Sequence, residues 1–279
     1  MSLLTDKVES FPKHLSCLTK CANTLTTSDG NKVDVWELSL PSEDILSSWA
    51  KTFRQNYCTD EEIDVLRAGT GLTRTEYLTA LVFPDISVPP GPSIRSGDFG
   101  ELLVSDYVEY ILKFWVPRMK YSEKASRNES VKGVDILGFY TAILSASSPG
   151  DILLAFEVKA QLSDSKYQDR LQTAIDHSSK DYIRRAETLN ATKRRLYKDN
   201  QKDNALLVER FQNLADNPYV YQSGAAAVLS DAAYDEALLQ SSTKVANHEN
   251  SGNLQLLVIK GTELMKLAHA LYERAANQA

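Results

Sequence analysis

Residues 151–162 read Asp-Ile-Leu-Leu-Ala-Phe-Glu-Val-Lys-Ala-Gln-Leu, a short apolar stretch that favours a β-strand. Side chains alternate between the two faces of a strand, so Glu157 and Lys159 are predicted to point the same way. The opposite face is wholly apolar and is predicted to pack on a core. A carboxylate beside an ammonium on a buried strand can hold a metal ion and position a phosphate, or it can form an ordinary solvated ion pair.

The composition is that of a globular protein. The chain has 279 residues, 43% of them hydrophobic and 24% charged, which fits one large core or two modest domains. No apolar run approaches the ~18 residues of a membrane span, so no membrane partner is expected. Residues 1–9 show no secretion signal, and the three cysteines lack metal-site spacing, which together favour a cytoplasmic location.

The net charge of −6 hides an uneven distribution of charged residues. Residues 1–90 hold 8 Lys/Arg against 13 Asp/Glu, whereas residues 113–132 hold 6 against 2 and residues 180–198 hold 7 against 2. Binding to a phosphate backbone needs a locally basic surface and tolerates an acidic remainder. The two basic segments are therefore candidates for contact with nucleic acid, although a basic helix is more often a solvated face.

Two segments, residues 1–90 and 91–279, are predicted from the turn-forming run Val-Pro-Pro-Gly-Pro-Ser-Ile at residues 88–94. The first segment is expected to be an α/β extension that docks a partner or regulates the second. Within it, residues 32–40 alternate as a strand does, and Ser42 is placed to cap a helix through about Tyr57.

The second segment is predicted to open with a mostly buried helix that carries Glu101 and extends to about Phe114. Because Glu101 follows Asp98 by three residues, the pair could also be a capping box at the start of that helix. The other predicted elements are strands over 115–121, 133–144, 151–162, 224–229 and 253–260, helices from 163 or 164 to about 187 and over 192–211 and 231–240, and a closing helix after Thr262.

Acidic residues fall at three junctions of this order, with Glu101 in the first helix, Asp135 on the second strand and Glu157 on the third. A hard cation such as Mg²⁺, or Mn²⁺ in its place, prefers carboxylate and carbonyl oxygens and keeps several waters. Asp135, Glu157 and the Val158 carbonyl can supply such an incomplete shell, with Glu101 as a further candidate ligand. Lys159 would then stabilise charge on a phosphate. Taken singly, Asp135 could be only a turn residue, and Glu157 with Lys159 only a surface pair.

The order of elements and the placement of acids over about residues 95–185 resemble the restriction-endonuclease-like nucleases, whose signature is Asp…(Asp/Glu)-x-Lys. Here the signature is Asp135 followed by Glu157-Val-Lys159. The resemblance implies an α/β (α+β) fold, with a restriction-endonuclease-like core of a mixed central sheet flanked by helices and an N-terminal α/β extension.

A closer resemblance lies in Arg95-Ser-Gly-Asp-Phe-Gly-Glu101, Arg127-Asn-Glu-Ser-Val-Lys-Gly-Val-Asp135 and Phe156-Glu-Val-Lys-Ala-Gln161. Together these phrases resemble HamA, the family of nuclease subunits of the Hachiman anti-phage defence system. The resemblance implies a metal-dependent DNase with little sequence preference, paired with a helicase-type ATPase, HamB, that restrains it. It also implies that Asp135, Glu157 and Lys159 are catalytic and that Glu101 takes part.

The basic helices are expected to contact the phosphates of DNA. Little sequence preference is expected, because no base-reading module accompanies the site. The candidate DNA-binding residues are Lys180, Arg184, Arg185, Arg194 and Arg195, and more weakly Arg127. Two alternatives stay open at the level of sequence: a repair or recombination nuclease of the same fold, and a non-catalytic subunit that docks a partner through its acidic first segment.

Overall fold

The structure, a computed structural model, describes residues 11–279. The expectation about a secretion signal concerns residues 1–9 and lies outside the described residues. The strands are β1 (Leu18–Lys20), β2 (Leu25–Thr26), β3 (Lys32–Leu38), β4 (Ile136–Tyr140), β5 (Ile152–Gln161), β6 (Val220–Ser230) and β7 (Leu254–Gly261). The α-helices are α1 (Glu43–Gln55), α2 (Ile63–Arg67), α3 (Arg74–Tyr77), α4 (Gly91–Asp106), α5 (Arg170–Lys198), α6 (Lys202–Glu209), α7 (Glu236–Ser242) and α8 (Leu264–Asn277).

These strands form one mixed sheet in the order β1-β3-β7-β6-β5-β4, with β2 paired to β3. The centre, from β3 to β5, is parallel, whereas β4 pairs with β5 and β1 with β3 in antiparallel fashion. Helices α1, α4 and α8 cover one face, and α5, α6 and α7 contribute to the apolar clusters on the other. The predicted mixed α/β fold with a central sheet flanked by helices is confirmed.

Strand β5 has the two faces that its sequence predicts. Leu154, Phe156 and Val158 belong to the core beneath α4, and Leu153 and Ala155 belong to the core beneath α5 and α6. Since Glu157 alternates with Phe156 and Val158, it faces α5. The sequence pattern therefore determines on which side of the sheet the charged pair lies.

The first segment shares the sheet with the second. Strand β3 runs parallel to β7, with Val35 opposite Val258, and α1 packs against α8. Ser42 caps α1 as predicted, its side chain accepting a hydrogen bond from the Ile45 amide. The division into residues 1–90 and 91–279 stays a prediction.

Three local predictions were wrong. Residues 115–121 do not form a strand, because only Trp115 bridges to Phe139 of β4. Helix α4 begins at Gly91, so Asp98 and Glu101 lie inside the helix and cannot form a capping box at its start. Helix α5 begins only at Arg170 and then runs without a break through residues 187–192.

Candidate active site

Glu157 and Lys159 form the ion pair at the centre of the candidate site. The Lys159 ammonium contacts the Glu157 carboxylate and also donates to the Val158 carbonyl at 3.3 Å. The Glu157 side chain is only 8% exposed. A pair of this kind is not the solvated surface pair that the sequence also allowed, because burial removes most of the hydration of its carboxylate.

Asp135 lies beside this pair because of the register between β4 and β5. Ile136, the first residue of β4, is opposite Phe156, so Asp135 precedes the strand at the level of Glu157. Its Oδ2 accepts a hydrogen bond from the Val158 amide at 3.0 Å. The backbone of β5 thereby fixes the carboxylate from the neighbouring strand.

Glu101 reaches the same site from α4, on the opposite face of the sheet. At Gly100 an added Cβ would lie 3.1 Å from the Ala160 Cβ, so the glycine allows the helix to approach β5 closely. Glu101 Oε2 accepts hydrogen bonds from Lys120 at 2.8 Å and from the Tyr121 hydroxyl at 3.0 Å. The helix Glu thus belongs to the site and not to a helix cap.

Lys120 forms ion pairs with both Glu101 and Asp135, and the sequence did not indicate this role. Its ammonium lies 2.8 Å from Glu101 Oε2 and 3.1 Å from Asp135 Oδ1. These two ion pairs raise its pKa despite the opposing effect of burial. In the sequence Lys120 was counted only as one charge of a basic segment; its position between Met119 and Tyr121, both buried in the structure, was the available signal.

Burial and the nearby charge of Asp135 make the carboxyl groups of Glu101 and Glu157 hold protons more tightly than usual. Burial, followed by the charge of Asp135, raises the pKa of Glu101 to about 7. The same two effects, in the same order, raise the pKa of Glu157 to about 8, with Lys159 opposing them. Perturbed groups of this kind cluster at functional sites.

Helix α5 adds two side chains that sequence reasoning did not assign to the site. His177 Nδ1 lies 3.3 Å from Glu157 Oε1, and burial followed by the charge of Lys159 lowers the pKa of His177. Asp181 is fully buried, although in the sequence it counted only as one negative charge within the basic segment 180–198. The signal was its helical spacing, because it follows Ala174 and Ser178 on the stripe of α5 that faces the sheet.

The predicted catalytic side chains and Lys120 open onto one cleft of about 640 Å³. Glu101, Asp135, Glu157 and Lys159 all line it. The wall contributed by α5 includes cationic, acidic and small side chains. These are Arg184, Glu187, Thr188, Ala191, Thr192 and Arg195. The four predicted catalytic side chains therefore share one cavity, although they come from helix α4, strand β5 and the residue that precedes β4.

The predicted DNA-binding residues lie in different places. Arg184 and Arg195 line the cleft, and Lys180 and Arg194 are exposed on α5. The other two are placed elsewhere. Arg185 lies over the rings of Tyr182, Tyr219 and Tyr221, and Arg127 is bound to the Thr79 carbonyl and the Asp85 carboxylate.

Comparison with known families decides the identity of the chain. The family model named HamA matches residues 12–275, which is nearly the whole chain. The chain belongs to the HamA family. It is accordingly a component of a Hachiman antiviral defence system. A comparison with curated proteins gives no match.

One of the phrases that resemble HamA, residues 95–101, has a structural role beside the cleft. Asp98, one helical turn before Glu101, is buried and binds Lys124 and the Tyr57 hydroxyl, the latter at 2.7 Å. Arg95, one turn earlier, stacks on Tyr272 at 4.3 Å. The HamA-like phrase at residues 95–101 thus ties α4 to the turn after α1, to α8 and to the loop after Tyr121, and holds Glu101 in place.

The oxygen donors of this HamA chain bear on the cation that the family resemblance implies. Within residues 11–279, no three His, Cys, Asp or Glu side chains are already arranged to hold a metal ion. Mg²⁺ differs from structural metals, because it keeps several waters and needs only one or two carboxylates. Asp135 and Glu157, which repel each other, together with the Val158 carbonyl, have the donor chemistry that fits such a cation.

Over the part of the chain that the structure describes, no helix is both long and apolar enough to cross a membrane.

Proposed function

We propose that this HamA chain is a DNA nuclease that depends on Mg²⁺ or Mn²⁺ and hydrolyses phosphodiester bonds with little sequence preference. The observation that carries the proposal is the convergence of Glu101, Asp135, Glu157 and Lys159 in one open cleft. The spacing of Asp135 and Glu157-Val-Lys159 is the Asp…(Asp/Glu)-x-Lys pattern of restriction-endonuclease-like nucleases, and it supports the same assignment.

Each of these side chains has a role that follows from its contacts. Asp135, Glu157 and the Val158 carbonyl would hold the cation, with Glu101 as a further ligand or proton acceptor. When bound, a divalent cation makes water more acidic and offsets charge on the phosphate. Lys159 supplies a fixed positive charge next to Glu157, where it can stabilise a phosphate oxygen.

Glu101 can transfer a proton near neutral pH. Its pKa of about 7 means that the carboxyl group takes up or releases a proton close to physiological pH, which suits a general acid or base. The Tyr121 hydroxyl and the Lys120 ammonium, both bound to Oε2, orient the carboxyl group. The buried network around Asp98 fixes the helix that carries it.

Binding of DNA is assigned to the side of α5 that faces the cleft. Arg184 and Arg195 line the cleft, and Lys180 and Arg194 are exposed on the same helix. Contacts of such cations with phosphates do not depend on the base sequence. Arg195 also pairs with Glu123, so of the two arginines that line the cleft we assign the stronger phosphate contact to Arg184.

The decisive experiment is Mg²⁺-dependent cleavage of plasmid and linear DNA by the full chain. We expect Glu157→Ala and Lys159→Ala to lower the rate by about 10²-fold or more. Lys266→Ala is the matched control, because Lys266 is exposed and pairs with Glu263 far along the chain from the cleft residues. A Lys159→Ala variant as active as the parent would refute the site assignment, and a parent without any cleavage would favour a non-catalytic docking subunit.

Restraint by the helicase-type partner, HamB, is assigned to the first segment. A nuclease without sequence preference must be inhibited in its own cell, and this segment exposes large apolar side chains such as Val65 (75% exposed) and Leu81 (51%). Exposed apolar side chains of this size favour protein contacts when they cluster. We expect Val65→Asp with Leu81→Asp to weaken binding of the partner, and Leu206→Asp, at an apolar site of α6 that is 61% exposed, to leave it unchanged. Equal binding by both variants would exclude these two side chains from the interface.

A further inference from the structure

Asp181 of α5 lies in the interior beneath the cleft, and none of the roles assigned to the four predicted catalytic residues involves it. Its relative exposure is 0%. Neither of its carboxylate oxygens has a hydrogen-bond partner within residues 11–279. A buried carboxylate without donors has lost its hydration and gained nothing in return, which is costly unless another group binds it.

The position of Asp181 in the helix would ordinarily be apolar. It continues the stripe of Leu171, Ala174 and Ser178 that packs on the sheet. Opposite this stripe β6 carries Ala225 and Ala227, whose small side chains allow α5 to lie close to the strands. An apolar side chain is the usual occupant of such a position, so a carboxylate without a hydrogen-bond partner here requires an explanation.

The surroundings of Asp181 indicate the charge of that group. The carboxylates of Asp135 and Glu157 both interact unfavourably with it, while Arg184 and Lys159 interact favourably from the cleft side. Burial, followed by the charge of Asp135, raises the pKa of Asp181 to about 7. Acids that repel one another, two at the cleft and one beneath it, can be stabilised together by one small, hard, positive ion.

We propose that Asp181 binds the same divalent cation as Glu157, through its own oxygen or through one of the waters that the cation keeps. The proposal rests on the proposed nuclease function and deepens it, because it adds an acid from α5 to the donors from β4 and β5. His177, one helical turn earlier and already 3.3 Å from Glu157, places this part of α5 against the same donors.

A competing interpretation is purely structural. The Tyr221 hydroxyl and Arg185 Nη1 are also buried without hydrogen-bond partners among residues 11–279, and the charge of Asp181 acts on Tyr221, so in solution Asp181 could bind one of these two groups. In that case Asp181 would stabilise the core in the absence of any metal. The two interpretations predict opposite effects of removing the charge.

The test is Mn²⁺ binding to the full chain by calorimetry, with thermal unfolding in EDTA measured in parallel. We expect Asp181→Asn to weaken Mn²⁺ binding about tenfold or more and to leave the unfolding temperature in EDTA equal to that of the parent or higher. Asp176→Asn is the matched control, since Asp176 is an exposed acid on the same helix that accepts a hydrogen bond from Gln172 at 2.8 Å. It should bind Mn²⁺ as the parent does.

An Asp181→Asn variant that binds Mn²⁺ like the parent and unfolds at a lower temperature in EDTA would overturn the proposal in favour of the structural interpretation. If Asp181→Asn does not fold, Asp181→Ser takes its place with the same two expectations. A parent chain that binds no Mn²⁺ at all would refute the proposed metal dependence itself. A parent that binds Mn²⁺ beside an unaffected Asp181 variant would refute only the role of Asp181.

Discussion

Replacement of Lys120 by methionine tests how the metal-free site is held together. The substitution keeps most of the aliphatic side chain and removes the ammonium that lies 2.8 Å from Glu101 and 3.1 Å from Asp135. The Lys120 side chain is 13% exposed, so its two ion pairs are largely shielded from water. Without it, two nearby carboxylates face each other with no cation between them.

The size of the effect follows from the burial of the pair. Removal of one partner from a buried ion pair costs about 3–5 kcal/mol, because the remaining charge is left uncompensated. For a chain of this size each kcal/mol lowers the unfolding temperature by roughly 2–4 °C. We therefore expect Lys120→Met to unfold about 10 °C below the parent in EDTA at pH 8. The loss of stability should be smaller at pH 6. The pKa of Glu101 is about 7 and rises further without Lys120, so at pH 6 this carboxyl group is protonated and neutral.

The assay is thermal unfolding by circular dichroism in EDTA at both pH values, followed by titration with Mg²⁺. Lys51→Met, at an exposed position of α1, is the control and should unfold like the parent. Mg²⁺ should restore more stability to Lys120→Met than to the parent, because the cation replaces the missing charge. An unfolding temperature of Lys120→Met equal to that of the control would refute the role of Lys120 as a neutralising group.

Further predictions concern packing, pH and salt. Gly224→Ala should destabilise the chain by about 1–3 kcal/mol in urea unfolding, because its Cβ would overlap the buried Phe156 ring, whereas Gly252→Ala meets nothing within 4 Å and should be neutral. In EDTA the free energy of unfolding should fall as the pH rises from about 4.5 to 8. The reason is that Glu157 has a pKa of about 8 in the folded chain against an ordinary 4.5, so the folded state binds the proton more tightly than the unfolded state does. Glu157→Gln should flatten this pH dependence. Arg184→Ala should weaken DNA binding equally for all sequences and reduce the slope of log affinity against log salt by about 1, and an unchanged slope would exclude a phosphate contact.

The parts of the fold that the sequence predicted well are those in which one local pattern settles the structure. The alternation along β5 determines which face carries Glu157, and the packing observed on both sides agrees with it. Ser42 caps α1 because a serine hydroxyl at that position can accept from the first free amides of the helix. Neither result depends on distant parts of the chain.

The errors come from segments in which distant contacts outweigh local preference. Residues 115–121 alternate as a strand does, yet after Trp115 this segment directs Lys120 and Tyr121 to the acids of the site instead of pairing further with β4. The start of α4 was displaced for a related reason. Pro90 precedes the first turn of the helix, where a missing amide costs nothing. The proline-rich run at residues 88–94 therefore extends into the start of α4 and does not form a loop before it.

Charge summed along the sequence was a weaker guide to the site than charge considered with burial. In the basic segment 180–198, Asp181 appeared only as an offset to seven positive charges. The structure shows that this acid lies on the buried stripe of α5, whereas Arg184 lies at the cleft and Arg185 packs among tyrosines. Successive residues of an α-helix are rotated by about 100° around its axis, so these three side chains leave α5 in different directions. The periodicity of α5 therefore already placed Asp181 inside and Arg184 at the cleft. An acid on the core-facing stripe of a basic helix is therefore visible in the periodicity of the sequence and not in the net charge of that helix, and a buried carboxylate without a partner is the kind of perturbed group that clusters at functional sites.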